Sequence, residues 1–90
     1  MDMEIEFDPK KSATNLMKHG VSFAEAESVF YDPLGLTSED DEAQGEARFV
    51  TVGLGGAGRI VTAVWTYRSE NIRLISAREA TRNERRAYES

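Results

Sequence analysis

The sequence predicts an α+β fold: a β-α-α opening, then an antiparallel β-meander and a short C-terminal helix. Three observations carry that expectation. Apolar side chains recur at helical spacing between residues 9 and 31; three runs between residues 48 and 77 are rich in Val, Ile, Thr, Phe, Trp and Tyr; and short turn sequences separate those runs. Strands joined by short turns pair antiparallel, and helices grouped to one side of such a sheet define the α+β class.

The elements follow in order. Glu4-Ile5-Glu6-Phe7 alternates with period two, as a short strand does. Asp8 and Pro9 then supply an N-cap and a proline at the first helical position, where its missing N–H costs nothing. The helix is expected from about Pro9 to His19, with Gly20 as its C-terminal cap. Ala13, Leu16 and Met17 share one face of it, the expected core face, and Lys11, Asn15, Lys18 and His19 share the opposite one. Ser22-Phe23-Ala24-Glu25 has capping-box form and opens a second helix that buries Phe23, Ala26, Val29 and Phe30 until Asp32-Pro33 ends it. Leu34 to Thr37 suits a short edge strand, and Ser38 to Glu46 an acidic, solvated loop. Strands are expected over Arg48 to Leu54, Arg59 to Tyr67 and Asn71 to Ala77. Gly55-Gly56-Ala57-Gly58 and Arg68-Ser69-Glu70-Asn71 form the connections. Thr81-Arg82-Asn83-Glu84 is another capping box, opening the last helix.

Bulk properties narrow the function. Ninety residues suit one domain, 1–90, because two cores of half that size would each be too small. With no cysteine, disulfides, thiolate metal sites and a cysteine nucleophile are excluded. The start alternates acidic and apolar residues and no apolar run approaches a membrane span, which points to the cytoplasm. The net charge of −5 is divided unevenly. Residues 1–46 hold 3 Lys and 12 Asp or Glu, while residues 47–90 hold 8 Arg and 4 Glu. A protein that binds nucleic acid by charge alone is usually basic overall, so any anion site here must be a local concentration of arginine. A basic protein partner is the other reading of that balance.

Each chemical motif has a plain structural counterpart. The glycine run lacks the Gly-Lys-Ser/Thr ending of a phosphate loop and precedes no helix, so it reads as a hairpin loop. The acidic run Glu39-Asp40-Asp41-Glu42 lacks calcium-loop spacing and reads as a solvated charge run. His19, the sole histidine, either caps its helix or transfers protons beside Lys11 and Lys18. Arg73, Arg78, Arg82, Arg85 and Arg86 either grip phosphate, as guanidinium groups do, or form surface ion pairs such as Arg85 with Glu89. Neither metal nor cofactor is expected.

The ordered set of short blocks resembles a known family. Phe7-Asp8-Pro9-Lys10-Lys11, Asn15, Lys18-His19-Gly20-Val21-Ser22-Phe23, Ala26 and Phe30-Tyr31-Asp32 resemble the opening of the BrnT family. Glu46-Ala47-Arg48-Phe49, Ile72-Arg73-Leu74-Ile75-Ser76-Ala77-Arg78, Ala80, Glu84-Arg85 and Tyr88 resemble its second half. The resemblance implies a RelE-like fold and an RNA-cleaving toxin of a type II toxin–antitoxin pair, working without metal. It also implies a BrnA-like ribbon-helix-helix antitoxin, DNA contacted only through that antitoxin, and a toxin pair or homodimer held on an antitoxin dimer. In such a site His19, Arg78, Arg73 and Glu84 are the expected catalytic residues, and Lys11, Lys18, Arg48, Arg82 and Tyr88 the expected RNA contacts. The competing class is an interaction module or co-repressor that cleaves nothing.

Overall fold

A computed structural model describes residues 4–41 and 44–90. The elements are β1 (Ile5–Glu6), α1 (Pro9–His19), α2 (Phe23–Glu27), a 3-10 turn (Ser28–Tyr31), β2 (Leu36–Glu39), β3 (Phe49–Leu54), β4 (Ile60–Arg68), β5 (Asn71–Glu79) and α3 (Arg82–Glu89). They form a five-stranded sheet in the order β1-β5-β4-β3-β2. The α+β meander stands as the sequence predicts. Of the acidic loop, Ser38 and Glu39 join β2 instead, and Glu42 lies outside the described residues.

Local chemistry sets each boundary. Asp8 caps α1 by accepting the Lys10 N–H at 2.9 Å, and Gly20 ends it at φ 73°, a left-handed conformation that glycine adopts without strain. Ser22 accepts the Glu25 N–H, and the 3-10 turn that follows stops at Asp32. The glycine connection is less free than its composition suggests. Gly55 donates to the Arg59 carbonyl and Gly56 to that of Glu25, and a Cβ at Gly55 would stand 2.9 Å from Val61 Cγ2.

The core lies between α2, the 3-10 turn and one face of the sheet. Val21, Phe23, Ala26 and Val29 meet Val61, Ala63, Trp65, Ile72, Leu74 and Ala77. Phe7 packs edge-on against Phe23, and Phe30 and Phe49 flank Trp65, whose indole N–H donates to Thr51 Oγ1 at 2.8 Å. A fully buried Phe23 contributes about 2 kcal/mol of apolar transfer energy, and its aromatic neighbour adds to that.

Three features depart from the sequence expectation. First, α1 faces the other way: Asn15 is buried, while Ala13, Leu16 and Met17 are exposed. The reason is a vacant strand edge. β1 covers β5 in parallel only at Ile72 and Arg73. Farther along, the Asn15 amide takes the place of a neighbouring strand. Its Nδ2 donates to the carbonyls of Ala77 and Val21, each at 2.7 Å, and its Oδ1 accepts the Ala77 N–H at 3.2 Å. Buried backbone groups must be paired, and this need outweighs the transfer energy of Leu16 and Met17. Second, the helices do not all lie on one side. α3 docks on the opposite face of the sheet, where Thr62 and Arg78 point. Third, Arg85 forms no ion pair with Glu89; the ion pairs among the described residues are Arg59–Glu25, Arg73–Glu6 and Arg78–Glu84.

Candidate functional site

The register of β4 and β5 shifts at Val64/Trp65: Val64 stands opposite Ser76, but Trp65 stands opposite Leu74. Ile75 is therefore the extra residue of a β-bulge. Bulges bend a strand and re-aim its side chains, and they recur beside functional sites. On either side of Ile75, strand alternation turns Ile72, Leu74 and Ala77 into the core and leaves Arg73, Ser76 and Arg78 on the other face. Arg73 and Arg78 are thus separated by roughly 15 Å along one strand face.

Two adjoining depressions flank the bulge. One, of about 310 Å³, is lined by Lys11, Thr14, Asn15, Lys18 and His19 of α1 and by Ile75 and Ser76. The other, of about 180 Å³, is lined chiefly by Lys11, Arg48, Thr66, Arg68, Arg73 and Ile75, with Glu46 as its one acidic residue. Lys11 and Ile75 belong to both. The helical spacing of Lys11, Lys18 and His19 places them along β5 because Asn15 anchors the helix there, and the strand pairing brings Arg48, Thr66 and Arg73 into one row. Residues far apart in the chain thus gather six basic side chains, Lys11, Lys18, His19, Arg48, Arg68 and Arg73, around one strand segment.

Few of these basic groups are in ion pairs. Arg73 Nη1 stands 3.7 Å from Glu6 Oε1, a loose and partly exposed pair. Lys11, Lys18, His19, Arg48 and Arg68 enter no ion pair among the described residues. The Arg48 Nε is buried without a hydrogen-bond partner. A buried guanidinium N–H left unpaired is costly.

Arg78, Glu84, Arg82 and Tyr88 stand apart from both depressions. Arg78 and Glu84 form a two-pronged pair, Nη1–Oε1 at 2.6 Å and Nη2–Oε2 at 2.9 Å. Glu84 Oε1 also accepts the Thr62 hydroxyl and the Thr81 N–H, each at 2.9 Å. Tyr88 donates its hydroxyl to Asp32, and Arg82 is exposed on α3. The sequence constellation therefore divides in two. His19, Lys11, Lys18, Arg48 and Arg73 gather at the bulge, while Arg78 and Glu84, beside Ser76 on the same strand face, fasten α3.

The Arg78 guanidinium, with help from Thr81 and Thr62, pulls the Glu84 carboxyl down to about 2. Such a carboxylate is ionised at neutral pH and a weak base, which suits positioning better than proton transfer. A depressed carboxyl contributes stability that is complete above its ordinary value of 4.5 and is lost as the pH falls through about 2. The Thr81 amide resonance is expected to titrate with a midpoint near 2, and Glu84→Gln to remove that titration. A midpoint at the ordinary carboxylate value would contradict the pairing.

Sequence reasoning missed Arg68 and Ser76 as site residues. The sequence reading puts Arg68 in a turn, whereas it ends β4 opposite Asn71, and the β4–β5 hairpin that returns the chain to Arg73 is a usable signal. Among the described residues no group of three or more His, Asp or Glu side chains is placed to hold a metal ion. Nor is any helix there long and apolar enough to cross a membrane.

Comparison with known proteins follows the same lines. The family model described as "Ribonuclease toxin, BrnT, of type II toxin-antitoxin system" matches residues 7–84. Among solved structures, the ribonuclease toxin BrnT of Brucella abortus is similar, with a TM-score of 0.64 and 23% sequence identity. The match covers 90% of this chain and 100% of that one, a likeness of fold. No curated protein sequence matches.

Proposed function

This chain belongs to the BrnT family of ribonuclease toxins of type II toxin–antitoxin systems, and we propose on that premise that it cleaves RNA without metal along the bulged strand β5. The observation that supports this placement is the convergence of six basic side chains, few of them in ion pairs, on the bulge at Ile75 from both ends of the chain. RNA carries its charge on the backbone, and a row of Lys and Arg side chains binds such a backbone with little regard to sequence.

In this reading the ribose 2′-oxygen attacks the adjacent phosphorus as the bond to the 5′-oxygen breaks. The products are a 2′,3′-cyclic phosphate and a free 5′-hydroxyl. One proton leaves the 2′-hydroxyl and one reaches the departing oxygen. His19 is the proton-transfer group, because it is exposed in the larger depression beside Lys18. Arg73 grips the reacting phosphate at the bulge, and Arg78, roughly 15 Å along the same strand face, grips a neighbouring one while Glu84 holds its guanidinium in a fixed plane. Lys11, Lys18 and Arg48 grip the flanking backbone, with Arg82 and Tyr88 as outlying contacts. The partner is a ribbon-helix-helix antitoxin, which brings the pair to DNA, and the site of action is the cytoplasm.

The test is cleavage of RNA by the purified chain in excess EDTA. Fragments ending in cyclic phosphate are expected, together with complete resistance of a substrate carrying 2′-deoxyribose at the cut. Intact RNA with a folded protein would favour the interaction module. Cleavage that EDTA abolishes would overturn the metal-free mechanism.

A further inference from the structure

Strand β1 is only two residues long, and one of the two residues it pairs with is Arg73. Its parallel register sets Ile5 beside Ile72 against the core and Glu6 beside Arg73 on the outer face of the sheet. Asn71 fastens this short strand through both ends of its amide. Its Oδ1 accepts the Glu4 N–H at 3.2 Å and its Nδ2 donates to Glu6 Oε2 at 2.8 Å. The Ile72 N–H adds a bond to the Glu4 carbonyl at 2.9 Å. One carboxylate oxygen of Glu6 is thereby held, and the other, Oε1, faces Arg73 Nη1 at 3.7 Å. That separation is beyond hydrogen-bond reach but close enough to orient a charge.

The two arginines of β5 are thus held in different ways. Arg78 donates Nη1 and Nη2 to Glu84 at 2.6 and 2.9 Å. Arg73 is drawn toward Glu6 without donating an N–H to it, so its donors stay open to the depression that it lines with Arg48 and Thr66. Glu6 itself lines neither depression and stands on the β1 side of Arg73, behind it as seen from the groove.

We propose that Glu6, clamped by Asn71, is the positioning residue of Arg73, holding its guanidinium at the angle from which it meets the reacting phosphate. This role rests on the ribonuclease reading of the groove. A carboxylate in that place has two opposed effects. Its charge repels a polyanion, which weakens binding of substrate and transition state alike. Its fixed position orders Arg73 before the reaction begins, which favours turnover. A residue that merely neutralised the groove would show the first effect without the second. One that merely tied β1 to the sheet would show neither.

Steady-state cleavage of RNA by the full chain separates these cases. Glu6→Gln is expected to lower kcat by about tenfold and to lower KM by about threefold, a split that a structural role does not produce. Glu6→Asp keeps the charge but is one methylene shorter, so KM should return to the wild-type value while kcat stays reduced. Asn71→Ala releases the carboxylate without removing it and should behave as Glu6→Asp does. Glu4→Gln makes the same charge change two residues earlier, at an exposed side chain, and should leave both constants unchanged. A lower KM in Glu6→Gln with kcat unchanged or raised would overturn the proposal, since Glu6 would then only neutralise. So would wild-type kinetics in all of the Glu6 and Asn71 variants. Should Glu6→Gln fail to fold by circular dichroism, wild-type kcat in both Glu6→Asp and Asn71→Ala decides against it equally. A wild-type chain that cleaves no RNA would remove the ribonuclease reading and the role of Glu6 together, whereas an active wild type with unaffected variants removes the role of Glu6 alone.

Discussion

His19→Ala and Arg78→Ala are each expected to lower RNA cleavage by about two to three orders of magnitude, the usual loss when a proton-transfer group or a fixed cation is removed. The two variants test different parts of the site. His19 is exposed at the end of α1, and its side chain enters no ion pair, so its removal should leave thermal stability unchanged. Arg78 holds both oxygens of Glu84. Its removal leaves that carboxylate with Thr62 and the Thr81 N–H, partly exposed, and the fold should survive with a lowered melting temperature. Arg78→Lys keeps the charge but not the two-pronged geometry, and is expected to restore stability better than cleavage. Full activity in both alanine variants, with both folded by circular dichroism, would remove His19 and Arg78 from the reaction. Full activity in Arg78→Ala alone would confine the site to the depressions around Ile75 and leave Arg78 the fastener of α3.

The second large effect is on stability. Asn15→Ala is expected to destabilise the chain by about 3–5 kcal/mol, since it strands two buried carbonyls and one buried N–H. In a domain of this size that is a fall of roughly 15 °C or more in Tm. Asn15→Asp is no remedy: it keeps an acceptor for the Ala77 N–H but faces the Ala77 and Val21 carbonyls with oxygen and buries a charge. Thr14→Ala is the control. Its hydroxyl bonds only to the Lys10 carbonyl one turn back, at the surface, so a change within about 0.5 kcal/mol is expected. Urea unfolding followed by circular dichroism measures all three, and an Asn15→Ala midpoint close to that of Thr14→Ala would show the strand edge to be satisfied some other way.

Much of this molecule is written in local signals, and what is not written there follows from long-range pairing. Asp8-Pro9, Ser22 with Glu25, and Thr81 with Glu84 are caps whose partners lie within three residues, so the sequence alone places them. The meander follows from β-branched runs between turns. Asn15 shows where such reasoning ends. Its helix has a plausible apolar face, and hydrophobic periodicity puts that face inward. Nothing near residue 15 reveals that Ala77 lacks a strand neighbour. The same holds for the bulge, which exists only in the register between β4 and β5, and for the face that α3 chooses, which Arg78 and Thr62 decide. At the site, residue chemistry picked out His19 and the late arginines. It could not tell that the bulge would gather some of them while Glu84 drew Arg78 to α3.

The pairing of β1 with β5 also sets a clock on the ribosome. Ile5 and Glu6 find their neighbours at Ile72 and Arg73, and Asn15 finds Ala77, so the front of the chain waits for almost all of the rest. Chains emerge amino end first, and contacts this distant in sequence close late. Lys11, Lys18 and His19 are made early but have no groove to line until β5 arrives to build its other wall. A nascent chain thus carries one wall of the groove without the other, and the groove closes only after β5 has emerged.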